Sequence, residues 1–596
     1  MIKSDSPKKK HKLKLFAIVL AIVTFIIVCS GIIIAIRWKP ILTKTIQNTV
    51  LEVSDNLYQV KFADISLNLF TGSVYFKKLE IKADSNVYRG MIKKGIAPEN
   101  IFNLKIKELT IKNIKPLKVY LKRYLDVKEI RILEPELIIT YTRLRNKLNK
   151  RIDNRTTYEK IKNTLKSAKL ENLKLNEIEF TYIDQSLQKP EITKINRVSI
   201  NVTDILIDSI SQFDSTRIFH SKDINVVLND FNYPTADSLY FVKIAKLNVS
   251  TIKKNVTVEG FKLEPRYGEM QFASFFERQH ERYSIRFDSI MLEKIDFPAL
   301  IDYRTIYASK LTLNEGEIAI FLNRSKPKKL IDKAINYPHV ALKRVNWSVY
   351  MDTVSIKGTD IKYSEYMANT NSKGIVKFNN LRGNVLRVTN DSSALSKQRY
   401  INAYLKTAFL GQADLNIHIK FDMIDPNAAF SYEGNLKNLE LHALNPISKA
   451  LAKVSFAAGK ISNLAFSVNG NTAGANGTVK ILYDGLRVHL MKKDSENENF
   501  KKMGLLSFLA NALVIKESNP ANNEEPRVSH PYYSRPSDAS FFNVMWKVIF
   551  LGFKETIGIT KEKEGEIKAT AEKFKEIQKR REERKLRRKK LKEDSN

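Results

Sequence analysis

The chain has 596 residues, 43% of them hydrophobic, which is enough for a sizeable core and excludes a chain disordered throughout. Lys and Arg number 100 against 64 Asp and Glu, so the net charge of +36 points to an anionic partner: a membrane surface, an acidic polymer or a nucleic acid. One cysteine, Cys29, excludes a disulfide framework, a Cys-based zinc finger and an iron–sulfur cluster, and 21 Gly with 17 Pro exclude collagen-like or Pro-rich architecture.

Residues 1–14 read as a basic cytoplasmic segment, closing on KKKHKLK. From Leu15 to Ile36 there are 22 residues without a charge. As a helix they would run roughly 33 Å, enough for a hydrocarbon core of about 30 Å. Arg37, Trp38 and Lys39 would form an interfacial belt, and Pro40 would end or kink the helix. The run is long for a cleaved signal peptide, and bulky Ile27 and Val28 spoil a lipobox at Cys29, so 15–37 is expected to be an uncleaved transmembrane anchor. The basic flank before it places the N-terminus in the cytoplasm and the bulk of the chain in the periplasm of a Gram-negative cell, with the protein single-pass in the inner membrane. A cysteine-free body suits that oxidising space.

Residues 38–59 are expected to be a linker containing a short amphipathic helix, Ile41–Val53. From about Val60 to Leu490 the hydrophobic period is two, and one spacing recurs: apolar at i, i+2, i+5 and i+7. It occurs at Val74/Phe76/Leu79/Ile81, Leu104/Ile106/Leu109/Ile111, Leu173/Leu175/Ile178/Phe180 and Ile200/Val202/Ile205/Ile207. It returns at Val242/Ile244/Leu247/Val249, Val256/Val258/Phe261/Leu263, Ile285/Phe287/Ile290/Leu292 and Val349/Met351/Val354/Ile356. The step of three breaks plain alternation. Either each copy is one strand with a β-bulge that keeps four side chains on one face, or it is two short strands at a turn. Gaps such as Lys107-Glu108 lack turn chemistry, which favours the bulge. Intervening positions are polar and often Lys (Lys105, Lys107, Lys112, Lys243, Lys246). A sheet with one apolar and one charged face must bury the apolar one, in a closed sandwich or by curving into a groove, and periodicity leaves both open.

Helical interruptions are expected over Arg143–Leu165 and Pro446–Lys453. From Phe409 the alternation is cleaner, and Asn469–Asn476 reads as a hairpin loop. The regions are therefore 60–408, a repetitive β region, and 409–490, a second β region. Over 491–559, Met503–Ile515 and Phe541–Phe553 are apolar and helix-permissive around a polar loop, Glu517–Asp538. The second stretch is too short to span a bilayer and carries Lys547; it would either pack on the last strands or lie in a membrane interface. Trp38, Phe541, Phe542, Trp546 and Phe550 are the interface candidates. Residues 560–596 form a basic helical or disordered tail with a net charge of +6 and almost no apolar residues, suited to anionic lipid head groups. Aromatic residues are too sparse there for a nucleic-acid surface, and the expected topology puts it outside the cytoplasm, so no nucleic acid is expected.

Catalytic signatures are missing. No two of the eight histidines share a metal-ligand spacing, and nucleophile-elbow, kinase, phosphate-loop and dinucleotide fingerprints are absent. No enzyme, metal or cofactor is expected.

Several segments together resemble the AsmA-like family of Gram-negative envelope proteins in its Bacteroidota form. They are VKFADISLNLFTGSVYFKKLEIKAD (Val60–Asp84), VSIKGTDIKYSEY (Val354–Tyr366), GIVKFNNLRGNVLRVTND (Gly374–Asp391), GNLKNLELHALNPISKALAKVSFAAGKISNLAFSVNGN (Gly434–Asn471), GLLSFLANALVIK (Gly504–Lys516) and SFFNVMWKVIFLGFKETIGI (Ser540–Ile559). The resemblance, which extends to TamB and bridge-like lipid-transfer proteins, implies a mainly β fold. In it a transmembrane helix is followed by an elongated, curved, repetitive antiparallel sheet shaped like a groove, with amphipathic helices at the C-terminal end. It implies phospholipid transport between the inner and outer membranes or outer-membrane homeostasis, with the inner membrane, phospholipids and an outer-membrane protein as partners. The alternative is an envelope scaffold with a closed core. The groove candidates are Val74, Phe76, Leu104, Ile106, Leu109, Ile111, Leu173, Leu175, Ile178, Phe180, Val242, Ile244, Leu247, Val249, Ile285, Phe287, Ile290 and Leu292.

Overall fold

A computed structural model describes residues 38–559 except 69–70, 145–155, 187–189, 369, 494–499, 503–514 and 522–523, together with individual positions between 563 and 584. The expected anchor Leu15–Ile36, all but the last residue of the stretch Met503–Ile515, and most of the tail lie outside the described residues. Among the described residues no helix is long and apolar enough to cross a membrane.

The chain is mainly β: 55% of the described residues are strand, hydrogen-bonded into an open, mixed sheet of about 20 strands that does not close. It divides into two compact units. One comprises the residues up to Tyr233 with Val242–Gly260; the other comprises Pro234–Phe241 with the residues from Phe261 onward.

The first unit holds β1 (Tyr58–Lys61), β2 (Asp64–Asn68), β3 (Ser73–Ala83), β4 (Asn100–Lys112), β5 (Tyr124–Tyr141), β6 (Ser167–Asp184), β7 (Glu191–Asp208) and β8 (Asp223–Pro234), with most of β9 (Tyr240–Ser250) and part of β10 (Asn255–Pro265). β1 and β2 pair with opposite halves of β3, so the sheet edge is covered by two short strands, which blunts edge-to-edge association. The helix Trp38–Val53 precedes them and buries Ile46 and Val50 in the core of this unit.

The second unit holds β11 (Glu281–Glu293), β12 (Thr305–Asn323), β13 (Ser348–Met367), β14 (Ser372–Thr389), β15 (Tyr400–Phe409), β16 (Ala413–Asp422), β17 (Phe430–Glu440), β18 (Val454–Gly470), β19 (Gly474–Lys493), β20 (Phe500–Lys502), β21 (Val528–Ser529) and β22 (Tyr532–Ser534). The short helix Asn445–Ala452 lies where the sequence places one, and β18 and β19 form the expected hairpin. The helix Phe541–Thr556, capped by Ser540 through the Asn543 amide, packs on β19. A side chain at Gly552 would come within 2.7 Å of Val479 Cβ, so only glycine permits that approach. The Tyr432 hydroxyl donates to the Met545 carbonyl at 2.9 Å and ties helix to sheet.

The expectation of an all-antiparallel sheet is corrected. β5 and β6 are parallel, and so are β12 and β13. Parallel neighbours need a crossover of a dozen or more residues. The connections from Tyr141 to Ser167 and from Asn323 to Ser348 supply it. The first contains the helix Thr157–Ile161, which opens with a reciprocal Thr156/Glu159 capping box. Strand periodicity carries no direction, so only the length of the connection signals the reversal.

All eight copies of the recurrent spacing lie within single strands, so they are not paired strands at a turn. The step of three arises differently from a simple bulge. In β3 and β4, Phe76 faces Leu109 and Leu79 faces Ile106, so the register is unchanged, while Lys78 and Lys107 between them are unpaired. Both strands switch phase at the same level. A left-handed residue sits at this level in most strands: Lys78, Glu134 and Glu177 in the first unit, Glu315, Gly358 and Asn380 in the second. True register shifts occur in the β6–β7, β13–β14, β14–β15 and β18–β19 pairs.

Candidate functional site

Pairing aligns the apolar positions into rows that run across the strands. In the first unit one row is Phe76–Leu109–Ile132–Leu175–Ile200–Val226, and a second is Val74–Ile111–Ile130–Leu173–Val202–Ile224. The residue types stay constant along each row, but the burial does not. Phe76, Leu109 and Ile132 are at most 2% exposed and Leu175 is at 9%, whereas Ile200 and Val226 are only half-buried. The closed part is the cluster that includes Ile46, Val50 and Leu57. On β7 and β8 most of the Val and Ile side chains of this face are half-buried, Leu228 being buried at 8% exposure; Val242, Ile244, Leu247 and Val249 on β9 are half-buried too.

The second unit shows the reverse order. Its rows Ile290–Leu313–Ile356–Gly383–Leu405–Ile417 and Leu292–Leu311–Val354–Val385–Ala403–Ile419 begin half-buried on β11. The second row ends buried at Ala403 and Ile419, in a cluster that also takes in Tyr432, Val468, Val544 and Val548.

The eighteen groove candidates thus fall into two sets. Val74, Phe76, Leu104, Ile106, Leu109 and Ile111 belong to the closed core of the first unit, because the helix Trp38–Val53 and the short edge strands complete that core. They are corrected from groove to core. Leu175 and Phe287 are also buried, the latter because its ring lies over Gly316, where a Cβ would come within 2.4 Å of it. Leu173, Ile178 and Phe180, which pack against the closed core, and Val242, Ile244, Leu247 and Val249 are half-buried in the first unit, and Ile285, Ile290 and Leu292 in the second; each set is a candidate surface of its own unit.

The interface candidates also divide. Phe541 is corrected: it is 3% exposed and packs against Phe430, Phe421 and Tyr337, with ring centroids 4.9 to 5.5 Å away. Phe542, Trp546 and Phe550 are exposed and spaced four apart, so they form one aromatic stripe along the helix. Trp38 begins the helix Trp38–Val53.

The opposite face of the sheet is polar and cross-linked by ions. Glu129 on β5 accepts from Lys112 on β4 at 2.9 Å and from Lys174 on β6 at 2.8 Å. These two ammonium groups, with Arg131 nearby, hold its carboxyl down at about 2. In the second unit the polar face carries a depression of ≈ 700 Å³ where His418 bridges Glu433 and Asn402 and stacks on Tyr404. Among the described residues no group of three or more His, Cys, Asp or Glu side chains is placed to hold a metal ion.

Periodicity missed one polar level on the apolar face of the second unit. Glu281, Leu322, Glu365 and Gly374 stand side by side on β11 to β14. Glu281 pairs with Lys333 at 2.7 Å, and Glu365 pairs with Arg324 at 2.9 Å. These charges lie at strand ends beyond the repeated spacing, where no pattern announces them. No protein-family model matches the chain, and a search of the curated proteins found no match to it.

Proposed function

We propose that this chain is an AsmA-like envelope protein that carries phospholipid on the half-buried part of its apolar face. In this reading Leu15–Ile36 anchors it in the inner membrane and the β units lie in the periplasm, where the face curves into a groove. The observation that carries the reading is the change of burial along rows of constant composition. Side chains such as Ile200, Val202 and Ile244 are as apolar as those of the closed core, yet they are left half-covered. Acyl chains laid on them would be stabilised by about 0.8 kcal/mol per CH₂ removed from water. Rows repeating every ~4.8 Å from strand to strand offer near-equal sites, so a chain can advance without a deep trap.

The second reading is an envelope scaffold, favoured by the two fully buried clusters. One experiment separates them. The full chain is purified in mild detergent, a photoreactive residue is placed at Ile244 or at Phe76, and bound lipids are identified by mass spectrometry. Lipid transport predicts several phospholipids per chain and crosslinks from position 244 but not from 76. A folded chain free of lipid and silent at both positions would establish the scaffold instead.

A further inference from the structure

The helix Phe541–Thr556 is apolar on two opposite sides. One side buries Val544, Met545, Val548 and Gly552 in the second unit, where the helix packs on β19. The other side carries Phe542, Trp546 and Phe550, which are 69%, 42% and 38% exposed. Single exposed apolar residues are ordinary on a protein surface, but three large rings in line on one helix are not. A helix that is apolar all round belongs in a protein interior or in lipid, and here the sheet supplies only half of that environment. The stripe is also edged with charge. Lys547 Nζ lies 4.3 Å from the ring centre of Trp546 and 5.6 Å from that of Phe550, so its stem runs along the rings while its ammonium stays at their border. Lys554 stands seven residues on and therefore on the same side of the helix. Beyond the helix, residues 560–596 add a net charge of +6, and Lys573, Arg580, Arg581 and Arg584 are helical and exposed.

We propose that the exposed face of this helix docks on the surface of an anionic lipid bilayer, with Phe542, Trp546 and Phe550 entering the headgroup boundary and Lys547 and Lys554 meeting lipid phosphates. Aromatic rings with an apolar body prefer that boundary, and a bordering ammonium reaches from it to the phosphates. Charge selects the bilayer over a second copy of the chain: the stripe is edged by lysines and followed by a basic segment, and two such surfaces repel each other, whereas an anionic membrane attracts both. A helix lying in the interface needs one apolar face and flanking cations, and it does not have to span the hydrocarbon core. The sheet fixes the depth of insertion, because the buried side of the helix is already committed to β19. This inference goes beyond the lipid-carrying reading and does not rest on it, since an envelope scaffold would use the same face.

The test holds the full chain in phosphatidylcholine nanodiscs, so that Leu15–Ile36 is already occupied, and adds vesicles of phosphatidylcholine either alone or mixed with phosphatidylglycerol. Vesicles are floated and the protein carried with them is measured. The parent should float with the anionic vesicles and much less with the neutral ones. The triple variant Phe542→Ser/Trp546→Ser/Phe550→Ser, whose charge is unchanged, should bind at least tenfold more weakly. Lys547→Gln should lose about fivefold and Lys547→Arg little. Phe542→Ser alone changes the most exposed ring; it should melt like the parent and still lose part of the binding. Undiminished flotation of a folded triple variant would show that the overall positive charge, and not this helix, holds the vesicle, and would overturn the docking face. Equal flotation with both kinds of vesicle would overturn the anionic membrane as its target. A parent that ignores vesicles but crosslinks to itself, with the crosslink lost in the triple variant, would assign the stripe to a second copy instead. Each of these failures leaves the lipid-carrying reading standing, because that reading is tested at positions 244 and 76.

Discussion

Strands β3–β5 and strands β7–β8 of the first unit are built from the same materials. They share the period of two, the same in-register rows and the same β-branched side chains, yet Phe76 is sealed in a core and Ile200, in the same row, is not. The difference lies in what packs against the face. The helix Trp38–Val53 and the short strands β1 and β2 complete the closed end. The comparison teaches that an apolar row specifies a surface that must avoid water. Whether protein or a ligand covers it depends on elements elsewhere in the chain.

The sharpest way to break the comparison is to truncate both ends of one row. Phe76→Ala should cost about 3–5 kcal/mol and Ile200→Ala about 1–2, read by denaturant unfolding of the full chain. Equal losses would mean that the half-buried end is closed after all. Next in size is the ion cluster at the boundary between the two regions. Glu129 is depressed from 4.5 to about 2, so its contribution is fully present above pH 4.5 and is lost as the pH falls through about 2. Glu129→Gln should lower stability at neutral pH by about 1–2 kcal/mol and flatten the acid limb of the stability curve over that window.

Tyr432→Phe removes the bond to the Met545 carbonyl and should cost about 1 kcal/mol. It should also speed hydrogen exchange in the helix Phe541–Thr556, which closes the second unit. The smallest effect is expected at the phase switch. Lys78 has φ of 51°, so Lys78→Gly should be neutral or stabilising by up to about 1 kcal/mol. A clear loss would show that its side chain, and not its backbone, sets the level of the switch.

Much of this was legible from spacing alone. The recurrent i, i+2, i+5, i+7 pattern marks single bent strands, because the burial requirement survives the phase switch even when residues as ill-suited to a left-handed backbone as Lys78, Glu134 and Glu177 must make it. What the spacing could not reveal is that neighbouring strands switch together, since that is a property of pairing. Nor could it reveal the parallel pairs β5–β6 and β12–β13, because alternation reads the same in either direction. At the candidate site the apolar residues were legible and their coverage was not: Val74 and Val242 are indistinguishable in sequence, and only packing separates core from open surface. Phe541 and Phe542 are adjacent and alike, and the helix rotates one into the core and the other into solvent.

The sequence by itself determined a β-rich chain with one apolar and one charged face, because side chains alternate across a strand wherever the chain runs. The tertiary structure decided which stretches of that apolar face are sealed. It also decided which charges meet on it, as Glu365 meets Arg324, because both depend on segments far apart in the chain and no local pattern encodes their encounter.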